Sequence, residues 1–174
     1  MDHRGTPQTP GLVATMLTEE QHAAIVGGAG GDASGGGDGG DGEGDGDAGV
    51  CGVCYLISDA DAAEVLDALD FREKGGYTRE LIDVTPSDKS LPPVRALLYT
   101  ATPDNPNFDP GAVMNMAAAA ELIACTVGPS GPNCDYLLAL ATFLEEQGER
   151  DAHVEYLSGA VRRHLAEAAR AKKE

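Results

Sequence analysis

Basic residues are scarce in this chain. Twelve Lys and Arg stand against 29 Asp and Glu, giving a formal net charge of −17 and a pI near 4.4. Phosphate binding needs clustered cations, so the composition argues against a nucleic-acid partner. The cations that are present gather in "RRHLAEAARAKKE", which reads as the solvated end of a helix. Long apolar runs are absent too. The longest, such as "MAAAAELIAC", fall well short of the roughly 20 residues a membrane span requires. The N-terminal "MDHRGTPQTPG" has neither the apolar core of a signal peptide nor an Arg-rich amphipathic pattern. A cytosolic address is expected, with the four cysteines reduced.

Metal and nucleophile signatures are also missing. His3, His22, His153 and His164 form no H-x-H or H-E-x-x-H pair, and no G-x-S-x-G elbow occurs. "CGVC", Cys51 to Cys54, lacks a second ligand pair, because Cys125 and Cys134 fall in unrelated helical contexts. On a strand, residues three apart face opposite ways, so these cysteines are expected to be buried small hydrophobes. "GPSG", at 128–131, has no phosphate-loop lysine and reads as an interhelical turn. No metal site is expected.

One segment stands apart. "GGAGGDASGGGDGGDGEGDGDAG", at 27–49, uses only Gly, Asp, Ala, Ser and Glu. Nothing in it can bury apolar surface to offset the entropy of ordering, so it reads as a disordered acidic insertion. It lacks the large apolar residue of calcium-binding β-helix repeats and the closing Glu of an EF-hand. Loop-closure cost rises slowly with length, which favours one domain over 1–174 carrying an inserted loop.

The rest divides by pattern. "GLVATML" and "VCGVCYLI", on either side of the insertion, look strand-like. Ser58 reads as the cap of a helix whose apolar positions are Ala62, Val65, Leu66 and Leu69, ending near Asp70. "YTRELIDV" and "PVRALLYT" read as strands, followed by an Ala-rich helix from 113 to about 127 and helices near 134–147 and 151–172. Strands first and helices last indicate an α+β fold with a mainly antiparallel sheet or partly closed barrel.

The stretch "DFREKGGY", 70–77, sets Glu73 between Arg72 and Lys74 just ahead of paired glycines. Spacing alone permits a solvated turn with a local ion pair, or a proton-transfer carboxylate beside a cleft where backbone approaches a ligand.

Taken together, "DHRGTPQTPG", "CGVCYLI", "EVLDALDFREKGGY", "LLYTATPDNPNF", "VGPSGPNCDYLLALA" and "DAHVEYLSGAVRRHL" resemble, in order, the glutathione-specific γ-glutamylcyclotransferases, the ChaC-like family. The resemblance implies a β-barrel-based α+β fold with flanking helices, acting on reduced glutathione without metal or cofactor to give 5-oxoproline and cysteinylglycine. It places the family's catalytic carboxylate on Glu73 and a supporting one on Glu64. It also gives Tyr136 and Arg4 roles in substrate binding. Family members begin with a strand and a Y-G-S-L loop ahead of the point where this sequence starts. By that comparison the first strand is missing, and feeble activity is expected of the chain as written. The rival reading, from a different class, is a catalytically impaired relative that binds γ-glutamyl peptides or proteins.

Because 27–49 contains no core-forming residue, replacing it with a short turn is expected to leave the melting temperature essentially unchanged. A large fall on thermal denaturation would show that it packs on the domain.

Overall fold

Small side chains organise the helical half of the molecule. In α4 (Met116–Cys125), Ala119, Ala120 and Ile123 are buried, and they meet Val154, Leu157, Ala160 and Val161 of α6 (Ala152–Ala171). α5 (Asn133–Gln147) closes this core with Cys134, Leu137 and Ala141. Ala120 and Val161 have no exposed surface, so the two helices approach closely at that point. Truncating a packed residue such as Ile123 to Ala would cost about 2–5 kcal/mol. The computed structural model describes residues 4–28, 49–73 and 76–172. Most of the acidic insertion, at 29–48, and Lys74 lie outside the described residues.

Helix limits follow from local chemistry. Asp109 accepts from the Gly111 amide and Pro110 opens α3 (Pro110–Met114). Asn115 then leaves the helical region and caps α4 through the Ala118 amide, which splits the single Ala-rich helix expected from the sequence. Asp151 caps α6 through Val154, and Gly148 ends α5 in the left-handed conformation. α1 (Glu19–Gly28) packs against α3. α2 (Ala62–Glu73) begins after a turn in which the Ser58 hydroxyl accepts from the Asp61 amide. Ser58 therefore shapes the approach to the helix rather than its first residue.

The sheet content is antiparallel. β1 (Tyr77–Val84) pairs with β2 (Val94–Ala101), Tyr77 opposite Ala101 and Val84 opposite Val94, where the sequence predicts strands. β3 (Val127–Gly128) and β4 (Gly131–Pro132) form a minimal hairpin between α4 and α5. The α+β class is as expected; among the described residues these are two separate two-stranded sheets, not a closed barrel.

Two expected strands are not strands. The segments at 11–17 and 50–57 form no ladder, and Tyr55 and Leu56 are 84% and 101% exposed. Apolar alternation marks a segment that could pair, but it does not bring the backbone of that segment alongside an edge in ladder register. The cysteine expectation fails with it, since Cys54 is exposed and Cys51 only half-buried.

The first of these segments is held in another way. Asn133, fully buried, accepts from the Leu12 amide and donates to the Leu12 carbonyl, both at 2.7 Å. One side-chain amide thus imitates a strand partner. Beyond it the Thr15 hydroxyl both donates to the Ala101 carbonyl and accepts from the Ala101 amide, each at 3.2 Å. The strap from Leu12 to Thr15 joins the start of α5 to the end of β2.

Asn133→Ala removes both partners of the Leu12 backbone. It should destabilise the protein by about 1–3 kcal/mol, read as a lower urea midpoint at unchanged slope. An unchanged midpoint would mean that water replaces the amide at no cost.

Candidate active site

α2 carries an inward stripe at helical spacing. Ala62, Val65, Leu66 and Leu69 are half-buried, whereas Glu64, Asp67 and Asp70 face water. Glu73 follows Leu69 by one turn and extends that stripe with a carboxylate. It is the last residue of the helix, which runs three residues past the end near Asp70 expected from the sequence. Its side chain is 17% exposed, against 65% for neighbouring Arg72. Arg72 Nε donates to Glu73 Oε1 at 2.7 Å. A carboxylate at a helix C-terminus meets the negative end of the dipole, and this guanidinium offsets the repulsion. The ion pair and the half-buried carboxylate are therefore two features of the same residue.

Tyr77, the first residue of β1, shares this surroundings. Burial raises its phenol above the ordinary 10.0, and the nearby Glu73 carboxylate and Tyr136 phenol add to the rise. Tyr136 stands one turn into α5, where its hydroxyl accepts from the Ala14 amide at 3.2 Å. The Arg4 guanidinium lies 5.6 Å from the Tyr136 ring centre, in cation–π range.

Arg4 is presented by a compact turn in which Thr6 and Thr9 exchange backbone hydrogen bonds. Gly11 closes that turn: a Cβ there would stand 2.4 Å from the Arg4 carbonyl oxygen. Arg4 Nη1 donates to the Ser130 carbonyl at 3.0 Å and the Pro132 carbonyl at 3.3 Å. The "GPSG" turn between α4 and α5 thus serves as the seat of a cation.

Arg72 pairs with Glu73 and Arg4 faces the Tyr136 ring, and the Tyr77 phenol lies within electrostatic reach of both Glu73 and Tyr136. Three of the four residues singled out in the sequence meet here. Glu64 does not. It is exposed in the first turn of α2, nine residues before Glu73, hence about 13 Å away along the axis and on the opposite face. Tyr77 was not singled out in the sequence, although it lies four residues after Glu73 within the same motif.

An acidic group beside a cation suits a zwitterionic ligand, with the carboxylate handling an ammonium and the guanidinium a carboxylate. Among the described residues, no group of three or more His, Cys, Asp or Glu is arranged to hold a metal ion, and no helix is long and apolar enough to cross a membrane.

The raised Tyr77 value has a sign for stability. The folded protein holds the phenolic proton more tightly than the unfolded chain, so the contribution is fully present below pH 10.0 and is lost as pH rises through the folded value. Tyr77→Phe should therefore reduce the loss of stability between about pH 9 and about pH 11. Tyr99, raised chiefly by its hydrogen bond to Asp70, remains as a second source. Equal losses in parent and variant, measured by denaturant titration, would remove Tyr77 from this role.

A family model described as ChaC-like protein matches residues 1–164. The chain is similar to glutathione-specific gamma-glutamylcyclotransferase 1 of Danio rerio, 32% identical over 146 residues, covering 82% of this chain and 59% of that protein. It is also similar to gamma-glutamylcyclotransferase 2-3 of Arabidopsis thaliana, 34% identical over 173 residues, covering 95% of this chain and 72% of that protein. The chain spans 59–61% of the length of the vertebrate relatives it matches. A crystal structure of a yeast γ-glutamyl cyclotransferase specific to glutathione has the same fold, with a TM-score of 0.65 at 24% identity, covering 93% of this chain and 80% of that one. With the match running from the Arg4 turn into the second half of α6, the chain belongs to the ChaC-like family.

Proposed function

We propose that this chain acts on reduced glutathione as a γ-glutamylcyclotransferase, releasing 5-oxoproline and cysteinylglycine. The observation that carries this reading is Glu73, a carboxylate on the inward face of α2 near the Tyr77 phenol, which also feels Tyr136, the ring that faces Arg4. The names of the relatives support the substrate.

The chemistry needs little more than a positioned base. The α-amine of the γ-glutamyl residue attacks its own γ-amide carbonyl and closes a five-membered ring. The new C–N bond replaces the amide C–N bond, and the two protons that the ammonium loses in becoming the lactam N–H pass to the departing nitrogen, which leaves as an ammonium. Glu73 relays these protons one at a time, accepting from the attacking nitrogen and donating to the departing one. Bonds and protons balance within the substrate, so no oxidant, reductant or co-substrate enters. Orientation of an intramolecular attack can be worth effective molarities of about 10⁵–10⁸ M, which makes placement the main task of the protein.

Arg4 pairs with a substrate carboxylate, and Tyr136 contacts the substrate beside it and keeps Arg4 in place through its ring. Glu64 has a supporting role at a distance: an acid in the first turn complements the helix dipole by about 0.3–1 kcal/mol and so steadies the helix that carries Glu73. A cytosolic address fits the free thiols of Cys51, Cys54, Cys125 and Cys134.

Glu73→Gln keeps the size of the side chain and removes the proton acceptor. It should abolish measurable 5-oxoproline release from reduced glutathione while leaving the melting temperature close to that of the parent. Turnover near the parental rate would reduce Glu73 to its ion pair with Arg72.

A further inference from the structure

The loop after β2 reaches back across the sheet to the turn before β1, and the contact is made by a buried amide. Asn105 is 6% exposed. Its Nδ2 donates to the Gly76 carbonyl at 2.8 Å, and its Oδ1 accepts from the Asn107 amide at 2.8 Å. The Asn105 backbone is tied as well: its amide donates to the Thr102 carbonyl, and its carbonyl accepts from the Phe108 amide, both at 2.9 Å. Donor and acceptor are thus both engaged, which fixes which way the side-chain amide faces.

The other side of the contact is equally constrained. Gly76 has φ of +103°, a conformation that L side chains rarely adopt, and a Cβ there would stand 2.9 Å from the Asn105 amide. The amide lies against the bare Cα. Gly76 comes three residues after Glu73 and one before Tyr77, so whatever holds Gly76 governs how the end of α2 sits relative to the start of β1.

We propose, on the basis of the reaction given above, that Asn105 is a positioning residue for it. Its carboxamide clamps the Gly76 backbone and thereby holds the Glu73 carboxylate at Tyr77, in line with the bound γ-glutamyl amine. A displacement of about 1 Å in such a site can cost about 10²-fold in rate, so the clamp acts on turnover more than on affinity.

Two variants separate the clamp from the turn that carries it. Asn105→Ala removes both hydrogen bonds. Asn105→Asp keeps an acceptor for the Asn107 amide but turns a carboxylate oxygen toward the Gly76 carbonyl. Ile123→Ala, in the helical core and remote from this loop, reports what loss of stability alone does to the rate.

The full chain and each variant are assayed for 5-oxoproline release over a range of reduced glutathione concentrations, well below their melting temperatures. The Tyr77 phenol is titrated by ¹³C-tyrosine NMR in the parent and in Asn105→Ala. Both Asn105 variants should lose about 10–100-fold in kcat with KM within about threefold, Ile123→Ala should keep the parental kcat, and the Tyr77 midpoint should fall toward its ordinary value. Parental kcat in the Asn105 variants, or an equal loss in Ile123→Ala, overturns the clamp while leaving the proposed reaction standing. A parent that releases no 5-oxoproline overturns the reaction instead. The Tyr77 titration then decides the clamp's geometry, and an unmoved midpoint rejects it.

Discussion

A single buried amide holds the two halves of this protein in register. Asn133 carries the Leu12 backbone on the start of α5, and the strap it holds runs on to the end of β2. Thr15 reaches Ala101 because Leu12 is fixed, and Tyr136 receives the Ala14 amide for the same reason. No helix packs broadly on the hairpin among the described residues. The connection is instead a short series of directional bonds, completed by Asp70 of α2, which accepts from Arg79 and from the Tyr99 hydroxyl. Hydrogen bonds set distances and angles more sharply than apolar contact does, which suits the placement that the proposed reaction would demand.

Much of this was legible beforehand, for reasons that differ by element. β1 and β2 declare themselves through β-branched and apolar runs bounded by turn residues, and α5 and α6 through spacing, a capping Asp and a terminal Gly. The segments at 11–17 and 50–57 carry similar apolar patterns yet form no ladder, because pairing depends on an edge elsewhere in the chain. The site shows the same division. Glu73 could be singled out from its motif, but its place on the helix required recognising that the stripe of Ala62, Val65, Leu66 and Leu69 continues through it. Glu64 shares the helix and not the face. Tyr77 and Asn105 matter through proximity in space: one beside the carboxylate, the other bound to a backbone carbonyl 29 residues away in sequence. No local pattern encodes a contact of that kind.

The two readings of "REKGGY" turn out to be compatible. A solvated ion pair between adjacent residues contributes little to stability. Here Arg72 lies mostly in water while its partner lies mostly out of it, at 65% and 17% exposure. The pair therefore spans the boundary of the site, with its cation on the solvent side and its carboxylate on the side of the phenols. The helix end that would repel a carboxylate is made tolerable by a group that does not occupy the interior.

The hairpin leaves Leu81 and Leu97, opposite one another, and Val94 open to solvent, with Phe71 of α2 and Leu56 exposed as well. In most small proteins such surface favours self-association. This chain carries a net charge of −17, so two copies approaching one another meet a long-range repulsion before any apolar surface can touch. That barrier has a range set by the electrolyte, about 8 Å at physiological ionic strength and about 3 Å at 1 M. Its colloidal behaviour is therefore governed by salt: dispersed in dilute buffer, and increasingly prone to coalesce as ions shorten the reach of its own charge.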